Sequence, residues 1–340
     1  MRILVLQLKR IGDAILTAPA LAMLGAALPD AHVELVLHGP SGGLARAMPG
    51  VAAVHVWQPW RPNLRLLAQV ASKPWDVVLD FTGTDRSVFL STLSRARTRV
   101  FYERHMESAG WRNRVADMLV EASVKDLSTV EFHVALVARF LEMSGLGHGL
   151  PIPVPPCLRL PEDCHVAGLP SRYAVLHPGT ARDEKYWQPE KWLGIARYVR
   201  DQYQLPLVLT GSSDERETEH LAALRAAKEI AWIDLAGQLG LLESAAVIGR
   251  ATLVLTVDSA AMHLAGQFGR PQVALFGPTN PYHWAPRHAN ARVLLGGVGC
   301  VDPEACRPPA AHLGTMEAID EASVRQAIAS LSACFGDPAK

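Results

Sequence analysis

Residues 253–277, LVLTVDSAAMHLAGQFGRPQVALFG, place a helical segment between two apolar runs. The runs at 253–257 and 271–277 have the aliphatic composition of strands that are buried on both faces. The segment at 259–268 has the spacing of apolar and small residues that is typical of a helix. Strand, helix and strand in this order predict a doubly wound α/β sheet, whose ligands bind beyond the carboxyl ends of its parallel strands.

The same alternation continues through most of the chain. The first half begins with the apolar strand Arg2–Leu8, which a helix over Ala14–Leu28 follows. Further strands are predicted at 33–37, 77–81, 100–102, 173–179, 205–211 and near Ile233. Further helices are predicted at 133–143, 190–203, 215–227 and 241–248. The second half thus has five predicted strands that alternate with four helices, which again favours a parallel sheet.

A proline-rich stretch, Pro151–Cys164, separates the two alternating halves and is typical of an extended connector. We therefore expect one domain at 1–155, a second at 156–315, and a C-terminal helix and tail at 316–340. The tail has helical spacing and fits against either domain. Two doubly wound domains are expected to face each other across a cleft, which is a favoured place for a ligand.

The composition excludes several classes of protein. The chain has 33 basic and 33 acidic residues, so no overall positive field exists to hold nucleic acid. The uncharged stretch Ala14–Pro29 is shorter than the roughly 20 apolar residues that cross a bilayer. The five cysteines form no CxxC pair, which favours free thiols in a reducing compartment. We expect a cytoplasmic protein whose contact with a membrane is at most peripheral.

Two motifs at predicted strand ends are candidates for chemistry. In LKRIGDAI, residues 8–15, the carboxylate of Asp13 either accepts a proton from a substrate or caps the following helix. In HPGTARDEKYW, residues 177–187, Thr180 offers a hydroxyl and Lys185 a flexible positive charge. These groups suit a diphosphate, and a solvated charged loop explains them as well.

Two more motifs end neighbouring strands. Asp258 and Ser259 in VDSAAMHLAG, residues 257–266, precede a helix whose first N–H groups suit a phosphate, and His263 follows one turn later. Thr279 lies in LFGPTNP, residues 275–281. A capping carboxylate, a buried helix histidine and a Pro/Gly turn explain the same residues. The coincidence of all four motifs at one kind of sheet edge favours a nucleotide-diphosphate site, although the dinucleotide and P-loop fingerprints are absent.

The order and spacing of four blocks resemble glycosyltransferase family 9, the lipopolysaccharide heptosyltransferases, over nearly the whole chain. The blocks are IGDAILTAPAL (11–21), HPGTARDEKYWQPEKW (177–192), VDSAAMHLAG (257–266) and ALFGPTNP (274–281). The resemblance implies a GT-B fold, with two Rossmann-like doubly wound domains facing an interdomain cleft and the donor bound mainly by the second. It also implies inverting transfer of a heptose from ADP-heptose to the inner core of lipopolysaccharide, without a metal ion or other cofactor.

The resemblance also implies residue roles. Asp13 corresponds to the catalytic base that removes the proton of the acceptor hydroxyl. For the ribose hydroxyls, Glu215 in GSSDERE (211–217) is the first choice and Glu217 the alternative. The remaining donor contacts that it implies are Thr180, Lys185, Asp258, Ser259, Ala260, His263 and Thr279.

Basic residues indicate where an anionic lipopolysaccharide precursor is held. Between Arg86 and Arg114 there are seven basic and two acidic residues. The candidate acceptor contacts are Arg86, Arg112 and Arg114, with a second patch at Arg61 and Arg65 in WQPWRPNLR (57–65). An ordinary solvated surface explains the same charges. The expected partners are ADP-heptose, this acceptor and the cytoplasmic face of the inner membrane, with no nucleic acid.

Three other functions stay open at the level of sequence. They are the transfer of another nucleotide-activated sugar to a cell-envelope glycan, epimerisation of a nucleotide sugar, and noncatalytic binding of a nucleotide sugar. An epimerase needs acid and base groups on both faces of the sugar, whereas a transferase needs one base at the acceptor.

Overall fold

The computed structural model of the chain describes residues 1–103, 110–308 and 313–335. The contacts divide the chain into two units, Met1–Arg159 and Leu160–Lys340, and the division falls within the proline-rich stretch. The domain limits expected at residues 155 and 315 stay predictions. The C-terminal segment belongs to the second unit by its contacts, since Ile319, Val324 and Ile328 are buried in the core of that unit.

The first unit contains one mostly buried sheet. Its elements are β1 (Arg2–Gln7), α1 (Ile11–Leu16), α2 (Ala18–Ala27), β2 (His32–His38), β3 (Ala53–Trp57), α3 (Leu64–Ser72), β4 (Val77–Asp80), α4 (Asp85–Ser94), β5 (Thr98–Tyr102), α5 (Gly110–Asn113), β6 (Met118–Val120) and α6 (Thr129–Met143). In the described residues the strand order is β3-β2-β1-β4-β5-β6, and every pairing is parallel. The side chains of β1 are buried from Ile3 onward because helices cover both faces of the sheet.

The second unit contains a larger sheet. Its elements are β7 (Ala174–His177), α7 (Pro189–Tyr203), β8 (Leu207–Leu209), α8 (Glu215–Ala226), β9 (Trp232–Asp234), α9 (Leu241–Arg250), β10 (Leu253–Val257), α10 (Ala260–Gln267), β11 (Gln272–Phe276), α11 (Pro281–Trp284), β12 (Ala291–Leu295), β13 (Gly299–Val301) and α12 (Glu321–Ala329). Over the described ranges the strand order is β13-β12-β11-β10-β7-β8-β9, with only β13 antiparallel to its neighbour.

Among the described strands the order reverses at one point in each sheet, and such a point is where a parallel sheet binds its ligand. In the first sheet β1 lies between β2 and β4, and in the second β7 lies between β8 and β10. Helices on either side of such a reversal lie on opposite faces, so a crevice opens beyond the carboxyl ends of the two central strands. The fold therefore predicts ligand sites at the ends of β1 and β4 and at the ends of β7 and β10.

The core of the second unit fixes the segment that follows β7. Trp187 is fully buried and meets Trp192 edge to face, with ring centroids 5.2 Å apart. The Trp187 indole N–H donates to the carbonyl of Ile319 at 3.1 Å. A buried indole N–H usually has such a partner. This bond ties the β7–α7 connection to the C-terminal segment.

The structure corrects the helix expected over Ala14–Leu28. Two helices, α1 and α2, meet at Thr17, and α1 begins at Ile11. The Thr17 hydroxyl donates to the carbonyl of Asp13 and accepts from the side-chain amide of Gln7, each at 2.8 Å. The junction is therefore fastened to the end of β1 by a contact that local spacing does not reveal.

The sequence also missed several elements. The strands β3, β6, β12 and β13 and the helices α3, α4, α5 and α11 were not predicted. The second sheet has seven strands in the described residues, whereas five were expected. The missed strands are short or lie toward the sheet edges, where residues are only partly buried and the apolar signal is weak.

Candidate functional site

A partly buried cluster joins three strand ends of the second unit. Lys185 follows β7, Asp258 follows β10 and Thr279 follows β11. The Lys185 ammonium donates to Oδ2 of Asp258 at 2.6 Å, and the Thr279 hydroxyl donates to the same oxygen at 2.8 Å. The side chains of Lys185 and Asp258 are only 13% and 7% exposed, so water screens the pair weakly. The structure thus brings three predicted donor contacts together.

The start of α10 lies beside this cluster in sequence. Ser259 is the N-cap residue, with extended backbone, and makes no side-chain cap hydrogen bond. Its hydroxyl instead lies 3.1 Å from that of Thr256. The capping role considered for Asp258 is wrong, because Asp258 precedes the N-cap residue and its carboxylate accepts from Lys185 and Thr279 instead. The first turn begins at Ala260, and the Ser259 side chain does not bond to its N–H groups. These N–H groups can therefore bind an anion.

His263 is a buried histidine on α10. Burial lowers its pKa to about 4, which the charge of Asp258 only partly opposes. The imidazole is therefore neutral at physiological pH. Its ring centroid lies 6.3 Å from that of Trp284, in a tilted arrangement. We therefore interpret His263 as an uncharged side chain packed under the start of the helix and not as a cation that binds phosphate.

The two candidate ribose carboxylates have different surroundings. Glu215 is exposed on the first turn of α8, whereas Glu217 is buried. The Glu217 carboxylate accepts from the backbone N–H of Ser212 at 2.8 Å and from its hydroxyl at 2.6 Å. A Cβ atom on Gly179 would lie 1.7 Å from Oε1 of Glu217, and one on Gly211 would lie 2.6 Å from it. Glycines at the ends of β7 and β8 therefore make room for Glu217.

A tyrosine, Tyr186, joins the loop that carries Thr180 and Lys185 to helix α8. The Tyr186 hydroxyl donates to the carbonyl of Thr180 at 3.0 Å. The Tyr186 ring stacks on the imidazole of His220 in α8, with centroids 3.7 Å apart. Sequence reasoning missed both residues, because a contact between a loop and a separate helix leaves no local pattern.

Asp13 lies in the first turn of α1, in the first unit. The N-cap of this helix is Arg10, so the alternative that Asp13 caps the helix is wrong. Burial raises the pKa of Asp13 above its usual range, and the positive charge of Lys9 opposes this shift. The half-buried carboxyl lines a cavity of about 390 Å³ together with Lys9, Arg10 and His38. A carboxylate of raised basicity at the end of β1 can accept a proton from a group in this cavity.

The candidate acceptor arginines lie on or next to three helices of the first unit, α3, α4 and α5. Arg86 is exposed on the first turn of α4, and Arg112 donates twice to Oδ1 of Asp85 on the same turn, at 2.7 and 2.9 Å. Arg114 is exposed after α5. Arg61 is exposed in the turn before α3 and Arg65 is exposed in its first turn, and α3 shares a hydrophobic cluster with α4. Arg104, which contributed to the count of basic residues, lies outside the described residues.

Three further observations bear on the sequence predictions. All five cysteines are free thiols. None of the helices in the described ranges has the length and hydropathy needed to cross a bilayer. Within residues 1–103, 110–308 and 313–335 no group of three or more His, Cys, Asp or Glu side chains is arranged to hold a metal ion.

The sequence model of glycosyltransferase family 9 (heptosyltransferase) matches residues 63–305, well over half of the chain. Lipopolysaccharide heptosyltransferase 1 of Escherichia coli O18:K1:H7 is 25% identical over 339 residues, which cover 94% of this chain and 95% of that protein.

Solved structures are similar over nearly the whole chain. The glycosyl transferase family 9 from Veillonella parvula DSM 2008 matches with a TM-score of 0.78 and 21% identity, covering 97% of this chain and 96% of that one. The E. coli heptosyltransferase WaaC, solved with ADP, matches with a TM-score of 0.76 and 20% identity over 97% and 100%. The chain has the GT-B fold, with two parallel-sheet α/β units, as expected from the sequence.

Proposed function

This chain belongs to glycosyltransferase family 9, and on that premise we propose that it transfers a heptose from ADP-heptose to the inner core of a lipopolysaccharide precursor, inverting the anomeric centre. The observation that carries the proposal is the cluster of Lys185, Asp258 and Thr279 beside the start of α10. It lies at the reversal of strand order between β7 and β10, where such a sheet binds its ligand.

The donor diphosphate is assigned to this cluster. The Lys185 ammonium has three N–H donors, of which one is used by Asp258, so the others can reach phosphate oxygens. The N–H groups of the N-cap residue Ser259 and of Ala260, together with the dipole of α10, favour the same negative charge. The hydroxyls of Thr180, after β7, and Thr279, after β11, flank the end of β10 and complete the polar lining.

The ribose hydroxyls are assigned to Glu217 in preference to Glu215. Glu217 is buried next to the strand-end glycines Gly179 and Gly211, whereas Glu215 is exposed on α8. A carboxylate fixed by Ser212 is an acceptor whose orientation is set before the sugar binds.

The chemistry follows from these assignments. Asp13 takes the proton of the acceptor hydroxyl while the hydroxyl oxygen forms a bond to the anomeric carbon. The bond from that carbon to the diphosphate oxygen breaks, and ADP leaves with the electron pair. Lys185 and the start of α10 stabilise the charge that develops on the leaving diphosphate. The raised pKa of Asp13 makes it a stronger base than an ordinary aspartate.

The acceptor is assigned to basic side chains of the first unit. Arg61, Arg65, Arg86, Arg112 and Arg114 suit the carboxylates and phosphates of a lipopolysaccharide precursor. We place the reaction in the cytoplasm, with peripheral contact at the inner face of the membrane, and we expect it to need no metal ion.

Calorimetric titration of the purified protein with ADP, UDP, GDP and CMP tests the donor assignment. We expect ADP to bind most tightly, because the proposed donor is an ADP-sugar. Binding of none of the four nucleotides, or a clear preference for a nucleotide other than ADP, would contradict the proposal.

A further inference from the structure

An exposed apolar turn follows the edge strand β3. Trp60 is 99% exposed, and Leu64 in the first turn of α3 is 72% exposed. Arg61 and Arg65 alternate with them in sequence and are exposed as well. These four residues are called the Trp60 turn below. Neighbouring large apolar side chains that are held in water mark an interaction surface.

The backbone of the turn is held in place by one side chain. The Asn63 carboxamide accepts from the N–H of Gln58 at 2.8 Å and donates to the carbonyls of Gln58 and Arg61, at 3.0 and 2.8 Å. Trp60 itself has a φ of 64°, in the left-handed region that a bulky residue rarely adopts. The Trp60 ring is therefore presented outward by a fixed turn, which reduces the entropy lost when the turn binds a partner.

The charge around the turn has one sign. From residue 35 to residue 75 the sequence contains Arg46, Arg61, Arg65 and Lys73 but no aspartate or glutamate. Lys73 is paired with Glu34, whereas no ion pair is recorded for Arg61 or Arg65 in the described part of the chain. The turn thus combines exposed apolar groups with uncompensated positive charge.

This combination selects the kind of partner. Tryptophan and arginine both favour the boundary between lipid headgroups and acyl chains, where the ring is partly desolvated and the guanidinium meets phosphates. A stable protein interface covers about 800 Å² of each partner, which is more than one turn of four residues supplies. An anionic lipid surface needs no such area, because several weak contacts and the surface potential act together.

The position of the turn is consistent with this partner. The turn follows the carboxyl end of β3, and Asp13 follows the carboxyl end of β1. The strands β3, β2 and β1 are parallel, so both features lie at the same edge of the first sheet. A bilayer that meets this edge brings a lipid-borne acceptor toward the proposed base.

We propose that the Trp60 turn docks on an anionic bilayer surface, with Trp60 and Leu64 entering the headgroup region and Arg61 and Arg65 contacting lipid phosphates. The inference rests on the proposed function and deepens its peripheral membrane contact by naming the residues and the lipid class. It moves Arg61 and Arg65 from the acceptor to the bilayer that carries the acceptor. Its test uses no nucleotide and no acceptor, so a failure here is distinguishable from a failure of the donor assignment.

Cosedimentation with vesicles tests the proposal. The full chain is mixed with vesicles of phosphatidylcholine alone, or of phosphatidylcholine and phosphatidylglycerol, without lipopolysaccharide precursor. We expect binding to the anionic vesicles only. Trp60→Ser should lower the partition coefficient about tenfold, because it removes a large apolar side chain from the lipid. Arg61→Gln should lower it about fivefold, the equivalent of about 1 kcal/mol for one charge near an anionic surface.

Trp111→Ser is the matched control, since Trp111 is an exposed tryptophan of the same unit, 47% exposed, beside an arginine that Asp85 already pairs. It should bind vesicles as the unchanged chain does. The proposal is overturned if anionic vesicles do not sediment the chain, or if the Trp60 and Trp111 variants lose binding equally. Self-association that depends on Trp60, without vesicle binding, would assign the turn to a second copy of the chain instead.

Discussion

The Lys185 ammonium lies 2.6 Å from Oδ2 of Asp258, so the cation assigned to the donor is held by a carboxylate from another strand end. The two residues are 73 positions apart and join the loops after β7 and β10. The carboxylate fixes where the ammonium lies and leaves further N–H donors available. The pair therefore holds the Lys185 ammonium at the reversal of strand order.

Replacing this cation should weaken nucleotide binding. We expect Lys185→Ala to weaken ADP binding by about 1.5 to 3 kcal/mol, the range for a hydrogen bond to a charged group. Lys228→Ala, which changes an exposed lysine of the same unit, is the matched control and should bind ADP as the unchanged chain does. If calorimetry gives the same ADP affinity for both variants, Lys185 is an ordinary loop cation.

The glycine beside Glu217 should be irreplaceable. Gly179→Ala places a Cβ atom where Oε1 of Glu217 lies, so the carboxylate must move. We expect a loss of ADP affinity of about tenfold or more, similar to that of Glu217→Gln, since each disturbs a hydrogen bond to a charged group. Gly110→Ala is the control, because a Cβ there meets nothing within 4 Å. If Glu215→Gln lowers the ADP affinity more than Glu217→Gln does, Glu215 and not Glu217 holds the ribose hydroxyls.

The sequence could reveal the central strands and the motifs that follow them. The runs of β1 and β10 are buried on both faces, so nearly every residue is apolar and the signal is strong. By contrast, β3 is a partly exposed edge strand whose sequence AVHVW contains a histidine, and β13 has only three residues. Their pairing depends on the neighbouring strand, which no local window contains.

For the candidate site, the sequence could predict individual residues but not the contacts between them. Asp13, Lys185 and Asp258 were singled out because residues at strand ends of a parallel sheet meet a ligand. Their partners were not predictable, because the contact of Lys185 with Asp258 depends on how distant strands pair. The break at Thr17 likewise depends on the amide of Gln7, in a different element.

A buried carboxylate of the first unit should make stability depend on pH. The Glu34 side chain is 1% exposed. Its carboxylate contacts the side chains of two cations, Arg2 and Lys73, and the rings of two histidines, His32 and His55. Burial alone raises its pKa, but the hydrogen bonds from Lys73 and His55 outweigh burial and lower the pKa from 4.5 to about 2. The folded state therefore binds its proton more weakly than the unfolded state does.

The sign of this effect is definite. Glu34 stabilises the fold above pH 4.5, and the contribution is lost as the pH falls toward about 2. By linkage it amounts to about 3 kcal/mol. The free energy of unfolding of Glu34→Gln should not show this decrease at low pH. Asp117→Asn is the control, because Asp117 forms a surface pair with Arg99. This variant should keep the decrease, and its stability should change by less than about 1 kcal/mol. Parallel pH curves for Glu34→Gln and the unchanged chain would refute the assignment.

Transfer should need no divalent metal. In this account Lys185 and the start of α10 stabilise the leaving diphosphate, both of them fixed before the reaction. Transfer from ADP-heptose should therefore proceed at an unchanged rate in excess EDTA. A loss of activity that Mg²⁺ or Mn²⁺ restores would show that a metal ion stabilises the leaving group instead.

The central claim is that Asp13 deprotonates the acceptor while the second unit holds the nucleotide, and the Asp13→Asn variant tests it most directly. We expect its transfer rate to fall by about 100-fold to 10,000-fold, the usual contribution of a positioned general base. Its ADP affinity should equal that of the unchanged chain, because the carboxylate acts on the acceptor. An Asn variant that keeps more than about a tenth of the rate would contradict the account.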